Sequence, residues 1–237
     1  MRLDKFISQL GYTRKDAERF IKLNKVTVNN KIVLKKDYKI DENKDIICID
    51  GNVCKYSKYV YIMLNKPEGI LSATEDKTQQ TVLSLLPPLL QNKGLFPVGR
   101  LDKETMGLLI LTNDGEFCHK MISPKNKIEK IYKFKLADDI LSEDVLKIEQ
   151  GIMLKDGYTT LPCTINMTTS NSGQITIVEG KYHQIRRMFG AVCNKVIYLE
   201  RIKEGEIYLD CTLSRGQWRE FNQLELQYCI KNNLINK

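Results

Sequence analysis

Long apolar runs are missing from this 237-residue chain, and no stretch approaches the ~20 uncharged apolar residues needed to span a bilayer. Met1-Arg2-Leu3-Asp4-Lys5 meets charge before a signal-peptide apolar segment could form, so a cytoplasmic protein with no membrane partner is expected. Cysteine pairs at C-x-x-C spacing are also missing. The seven cysteines are odd in number and scattered, which argues against a disulfide framework and against a zinc site, and they read as reduced thiols. There is no G-x-G-x-x-G after a strand and no G-x-x-x-x-G-K-[ST], so the chemistry is expected to need no nucleotide cofactor. Histidine is scarce, with only His119 and His183, and no Ser or Cys stands in an elbow-like turn, which leaves hydrolytic triads poorly supported. Internal repeats and low-complexity tracts are absent too.

What the chain does have is enough apolar residues, 42%, for a core of ordinary size, and a formal net charge of +8 with a pI near 9.0 that favours a polyanionic partner. The charge is uneven. Residues 1–48 hold twelve Lys/Arg against seven Asp/Glu, a net of +5, while the remaining 189 residues hold 25 against 22. The N-terminal fifth therefore reads as a nucleic-acid-facing module on a nearly neutral body.

In that module Leu3, Phe6, Ile7 and Leu10 fall at helical spacing and Gly11 ends the run. Thr13 and Asp16 stand as a capping box for a second helix to about Leu23, whose exposed face carries Arg14, Lys15, Arg19 and Lys22. Asn24 sits where a left-handed helix end is needed, Val26-Thr27-Val28 alternates like a strand, and Asn29-Asn30 suits a tight hairpin turn. The string RLDKFISQLGYTRKDAERFIKLNKVTVNNKIV resembles the small αL RNA-binding domain first described in a ribosomal small-subunit protein, departing from it at Asn24 and Asn30, where glycine is usual. The four cations are accordingly expected to contact phosphate without reading sequence.

Three domain segments are expected: an RNA-binding domain over residues 1–50, a linker over 51–58, and a catalytic domain over 59–237. In the last, strands are predicted at 59–64, 107–112, 131–136, 174–178, 196–202 and 206–213, and helices at 115–122, 142–150 with Ser142 as N-cap, 182–192 and 221–231. The class is α+β, and Pro87-Pro88 marks a loop.

The segment Gly99-Arg100-Leu101-Asp102-Lys103-Glu104-Thr105-Met106-Gly107-Leu108-Leu109 fills every fixed position of G-R-L-D-x-x-T-x-G-L-L, the signature of the pseudouridine synthases. Leu64-Asn65-Lys66-Pro67 with Gly69 upstream, and Glu179-Gly180-Lys181-Tyr182-His183-Gln184-Ile185-Arg186-Arg187-Met188 downstream, match the family's other two motifs in order. The chain thus resembles that family over essentially its whole length, most closely the RsuA-type subgroup acting on small-subunit ribosomal RNA. Relatives acting on large-subunit RNA share all three motifs.

The resemblance implies a catalytic domain on a mixed, mostly antiparallel sheet flanked by helices, and a reaction that moves uracil from an N1 to a C5 linkage without cofactor or metal. It implies Asp102 as the catalytic carboxylate, attacking the sugar at C1′ or adding to the uracil ring, with Arg186 as the basic partner that pairs with it. Tyr132 matches the active-site tyrosine that stacks on the base and relays a proton, and Ile177 would wall the base pocket. Arg100 would fill the space the flipped base leaves, and Lys66 and Arg187 join the RNA-binding set. His183 reads as a structural hydrogen-bonding residue. The expected partner is ribosomal RNA in a partly assembled small subunit, with uridine 516 as the target and a monomer as the acting form. Two rivals belong to other classes. One is a non-catalytic RNA-binding assembly protein; the other is a phosphodiesterase holding a divalent metal on Asp102, Glu104, Asp114 and Glu116.

Overall fold

The computed structural model describes residues 1–42, 44–54 and 57–235, and its chain divides into two units. The first comprises Met1–Val60 and Leu86–Leu95. Its helix α1 (Leu3–Gln9) buries Leu3, Phe6 and Ile7 and closes at Leu10, after which Gly11 takes φ +101°. Only glycine fits there, because a Cβ on Gly11 would lie 1.9 Å from the carbonyl oxygen of Leu89. Helix α2 (Arg14–Lys22) starts in the capping box expected of it: Thr13 accepts from the Asp16 N–H while the Asp16 side chain accepts from the Thr13 N–H. Asn24 ends it at φ +56°.

Strands β1 (Val26–Val28) and β2 (Lys31–Ile32) form a hairpin through Asn29 and Asn30, at φ +51° and +64°. With β3 (Ile47–Ile49) and β4 (Asn52–Cys54) they make an antiparallel sheet in the order β2-β1-β3-β4. Part of the segment read as linker is therefore a strand, with Asp50 and Gly51 at positive φ turning β3 into β4. Lys55 and Tyr56, also in that segment, lie outside the described residues. The short helix α3 (Pro88–Gln91) packs with this unit and has no counterpart in the boundaries drawn from the sequence.

The second unit, Tyr61–Leu85 with Phe96–Lys237, is built on β5 (Tyr61–Lys66), β6 (Phe96–Pro97), β7 (Met106–Thr112), β8 (Lys130–Leu136), β9 (Thr164–Thr169), β10 (Ser172–Ile177), β11 (Val196–Glu204), β12 (Ile207–Tyr208) and β13 (Trp218–Glu220). Among the described residues they form one nine-stranded sheet, β13-β5-β7-β11-β8-β10-β9, with β6 on β7 and β12 on β11. Only β7 and β11 run parallel, so the sheet is mixed and mostly antiparallel.

Helices α4 (Gly115–Ile122), α5 (Ser142–Glu149), α6 (Gln184–Ala191) and α7 (Gln223–Lys231) complete it. The central strands bury Leu108, Ile110 and Met63 against Phe117 and Met121 of α4 and Cys229 of α7.

Several expectations are corrected. Ser142 is the first helical residue rather than the N-cap, which is Leu141. The strand expected over 206–213 stops at Tyr208, because Asp210 folds its side chain onto Thr212 in a turn. Helix α6 begins at Gln184, since His183 sits at φ +49°. β9 shows little alternation because it is an edge strand with mostly exposed side chains. No helix among the described residues is long and apolar enough to cross a membrane.

Candidate active site

The loop between β6 and β7 carries Asp102, and two earlier segments hold it in place. Ser72 Oγ donates to Leu101 O at 2.8 Å and accepts from Leu101 N at 3.2 Å, while Gly69 N donates to Lys103 O at 2.9 Å. Lys66, at the end of β5, is fully buried, and its ammonium reaches the carbonyl oxygens of Thr105 (2.9 Å), Pro67 (3.1 Å), Asp102 (3.2 Å) and Lys103 (3.2 Å). An ammonium has three donors, so four carbonyls share them. Burial pushes the Lys66 pKa down to about 8, opposed by the charges of Glu104, Asp102 and Glu68. The expectation that Lys66 contacts RNA is thus corrected: apolar neighbours in β5 turn it inward, and it organises the catalytic loop from beneath.

Asp102 itself is half-buried, and its Oδ1 lies 3.5 Å from His183 Nε2. The two share a pocket with Tyr132, Ile177, Arg186 and Arg100. Tyr132 comes from β8 and is buried; burial raises its phenol pKa, with neighbouring Arg201 opposing the shift, so the hydroxyl is a neutral donor near neutral pH. Ile177 ends β10, the strand paired with β8, and is 4% exposed. Arg100 is exposed at the mouth.

Arg186 reaches the pocket but does not pair with the Asp102 carboxylate. Its guanidinium instead donates to Val196 O at 3.0 Å and to Glu104 O at 3.5 Å, which ties α6 to β11 and to the Asp102 loop. Arg187 is likewise engaged within the protein, through Tyr182 O at 3.2 Å and the Asp156 carboxylate at 2.6 Å. The sequence motif places both arginines on α6, but which carbonyls and carboxylates face them is set by strands and loops far along the chain.

Other residues of the site were not singled out from the sequence. Arg201, 1% exposed, stands opposite Tyr132 across the β11–β8 pairing, donates from Nε to Leu108 O at 2.8 Å, and lies 3.1 Å from Glu204. Burial works against its charge, but Glu204 and Tyr132 outweigh that and raise its pKa. Glu179, 9% exposed, accepts from Tyr158 Oη (2.6 Å), Gln184 Nε2 (2.7 Å) and Leu161 N (3.0 Å), bracing the loop before α6. Glu179, Gln184 and His183 were visible as motif members, whereas nothing local marks Arg201 or Ser72. Asp114, once weighed as a metal ligand, caps α4 through the N–H groups of Glu116 and Phe117 and accepts from Tyr61 Oη at 2.7 Å.

The pocket around Asp102 measures about 70 Å³. Once inside, a planar neutral ring would meet an apolar wall, a phenol and a carboxylate, a set suited to attack on a polarised sugar–base bond.

In the first unit, Arg14, Lys15, Arg19 and Lys22 of α2 are all exposed. Arg19 stacks on Phe20 and pairs with Asp16 at 3.3 Å. Arg14 opens onto a cleft of about 530 Å³ that also holds Lys5, together with Arg2 paired to Asp4 and Lys36 paired to Glu18.

Known proteins resemble this chain over most of its length. The sequence profile of the RNA pseudouridylate synthase family matches residues 60–191, and that of the S4 domain matches residues 1–47. The chain is 40% identical to the Bacillus subtilis protein called uncharacterized RNA pseudouridine synthase YtzG, across 95% of this chain and 97% of that one. It is 39% and 38% identical to the ribosomal small subunit pseudouridine synthases A of Vibrio cholerae and Escherichia coli K12, in both cases over 95% of this chain and 98% of the relative. A crystal structure described as a pseudouridylate synthase superposes with a TM-score of 0.68 at 35% identity, covering 96% of this chain and 98% of that one.

Proposed function

The chain belongs to the RNA pseudouridylate synthase family, and we propose that it converts one uridine of small-subunit ribosomal RNA to pseudouridine, using Asp102 as the catalytic carboxylate. The observation that carries this reading is the convergence of Asp102, Tyr132 and Ile177 on one pocket from three separate sequence segments. In the reaction the N1–C1′ bond breaks, the C5–C1′ bond forms, and C5 loses a proton while N1 gains one. Nothing is oxidised or transferred, so no cofactor or metal enters.

Asp102 is the nucleophile, toward C1′ or toward the uracil ring. The neutral phenol of Tyr132 stacks on the base and relays the proton. Arg186 acts by fixing the Asp102 loop through Glu104 O, and Arg100 moves as the base flips in. The small-subunit specificity is supported by the identity to the Vibrio cholerae and Escherichia coli relatives named for that subunit. Uridine 516, the position implied by the resemblance of the sequence to the RsuA-type subgroup, is the target we propose. The exposed cations of α2 hold the RNA through its phosphates. The protein acts as a cytoplasmic monomer on a partly assembled subunit.

The test is incubation with unmodified small- and large-subunit RNA and with partly assembled small subunits, in EDTA and without nucleotide, followed by carbodiimide-dependent reverse-transcription mapping. One new stop in small-subunit RNA is expected, absent with Asp102→Asn, which keeps the side chain's shape and leaves RNA affinity nearly unchanged. A stop in large-subunit RNA would overturn the substrate. Turnover by Asp102→Asn would overturn the mechanism.

A further inference from the structure

Residues three apart on a regular strand point to opposite faces, yet Arg201 and Glu204 of β11 share one. A bulge between Arg201 and Lys203 inserts Ile202 into the pairing with β8, so that Arg201 stands opposite Tyr132 and Glu204 opposite Lys130. All four side chains line one cleft beside the Asp102 pocket. Glu204 is fully buried, with Oε2 3.1 Å from Arg201 Nη2 and Oε1 3.9 Å from Lys130 Nζ.

Arg201 Nε is directed at Leu108 O and Lys130 Nζ at Ile128 O, and among the described residues neither Glu204 oxygen accepts a hydrogen bond. Both oxygens are sealed from solvent, so Glu204 acts on groups inside the protein. Buried ions paired without hydrogen bonds contribute little to stability, and apolar side chains often replace such pairs at no loss. What this set supplies is charge at a fixed place. Arg201 and Lys130 against Glu204 leave one net positive charge beside the Tyr132 phenol; without Glu204 there would be two.

We propose that Glu204 is a positioning residue that acts through Tyr132: it offsets Arg201 from inside the sheet, so that the phenol meets the flipped base with its proton in place. The inference rests on the reading of Tyr132 as the proton relay of a pseudouridine synthase. A relay hands on its own proton as it receives another, and so begins and ends neutral. A phenolate has no proton to give, and would stand against the Asp102 charge in the same pocket. The influences on the phenol point the same way: burial raises its pKa, Arg201 opposes that, and Glu204 and Asp102 add to the rise. The other titratable groups around it are Arg100 and Asp102 on the β6–β7 loop, Tyr158 between α5 and β9, Glu179, Lys181 and His183 ahead of α6, and Arg186 on α6. All of them stay in place in the variants that test the proposal.

The test puts a fluorinated tyrosine in place of Tyr132 in the full chain and follows its ionisation by fluorine NMR without RNA, since fluorine lowers the phenol pKa and brings the titration toward neutral pH. Glu204→Gln keeps the buried volume and removes the charge, and should lower the proton affinity of the phenolate at least about tenfold. Adding Arg201→Met should reverse most of that loss, because the cation that favours the phenolate is then gone. Glu204→Asp withdraws the charge by one methylene; it should give a smaller loss, and covers the case in which Glu204→Gln does not fold. On ribosomal RNA, the alkaline fall of the rate should begin at lower pH in Glu204→Gln, with KM unchanged. An unmoved titration in the folded variants, or a loss that Arg201→Met does not reverse, would overturn the proposal, as would a shifted titration with an unmoved alkaline fall. Absence of pseudouridine in every ribosomal RNA would strike the substrate reading alone, because the titration is read without turnover.

Discussion

Lys66 makes no contact with substrate, yet it holds the Asp102 loop by four carbonyl oxygens. Lys66→Met fits the apolar surroundings but leaves those carbonyls without their shared donor. We expect the catalytic rate to fall at least about tenfold, since hydrogen bonds to a charged group contribute about 1.5–3 kcal/mol each. The same lysine sets a pH dependence of stability. Its folded pKa, about 8, lies below the unfolded value of 10.5, so between these pH values the unfolded chain binds more proton and stability rises with pH. Below about 8 the burial penalty is fully present. Urea unfolding at pH 7 and pH 10.5 should therefore show the stability of the wild type minus that of Lys66→Met rising by up to about 3 kcal/mol with pH; a difference that falls as pH rises would contradict the assignment.

Among the elements, the pairing of β7 with β11 decides how the site is assembled. Arg201 of β11 reaches Tyr132 of β8 and Leu108 of β7, which requires the two parallel strands to lie close. Gly107 permits that approach: it sits at φ +98°, and a Cβ there would lie 2.2 Å from Arg201 O. Gly107→Ala should cost at least about 3 kcal/mol of stability, at the severe end of single substitutions, measured by chemical unfolding. The motif showed this glycine, but its reason is a contact 94 positions along the chain. Helix α2 stands at the other extreme, because Thr13, Asp16 and Asn24 state its start and stop within the segment they bound.

Across the whole molecule, charge is concentrated in the first 48 residues, and α2 displays it to solvent. Lys15→Glu combined with Lys22→Glu should weaken RNA binding and lower the slope of log affinity against log salt by about 1–2, as each phosphate contact contributes about 0.7–0.9. The rate on saturating RNA should stay within about twofold, because neither residue lies in the Asp102 pocket. A double variant with unchanged salt dependence would mean that this helix face is solvated surface.

Sequence alone determined the chemistry-bearing string around Asp102, the basic N-terminal module and the α+β class, because each depends on local spacing: caps, turn residues, apolar periodicity and contiguous motifs. Tertiary structure decided which polar side chains turn inward and what they meet. Lys66 is buried, Arg186 grips backbone oxygens rather than Asp102, Arg187 pairs with Asp156, and Glu204 lies without hydrogen bonds beneath an open cleft. The reason is physical. A strand's alternation tells which residues share a face, but the neighbour across that face is set by register between segments tens of residues apart, and a buried charge takes its role from that neighbour.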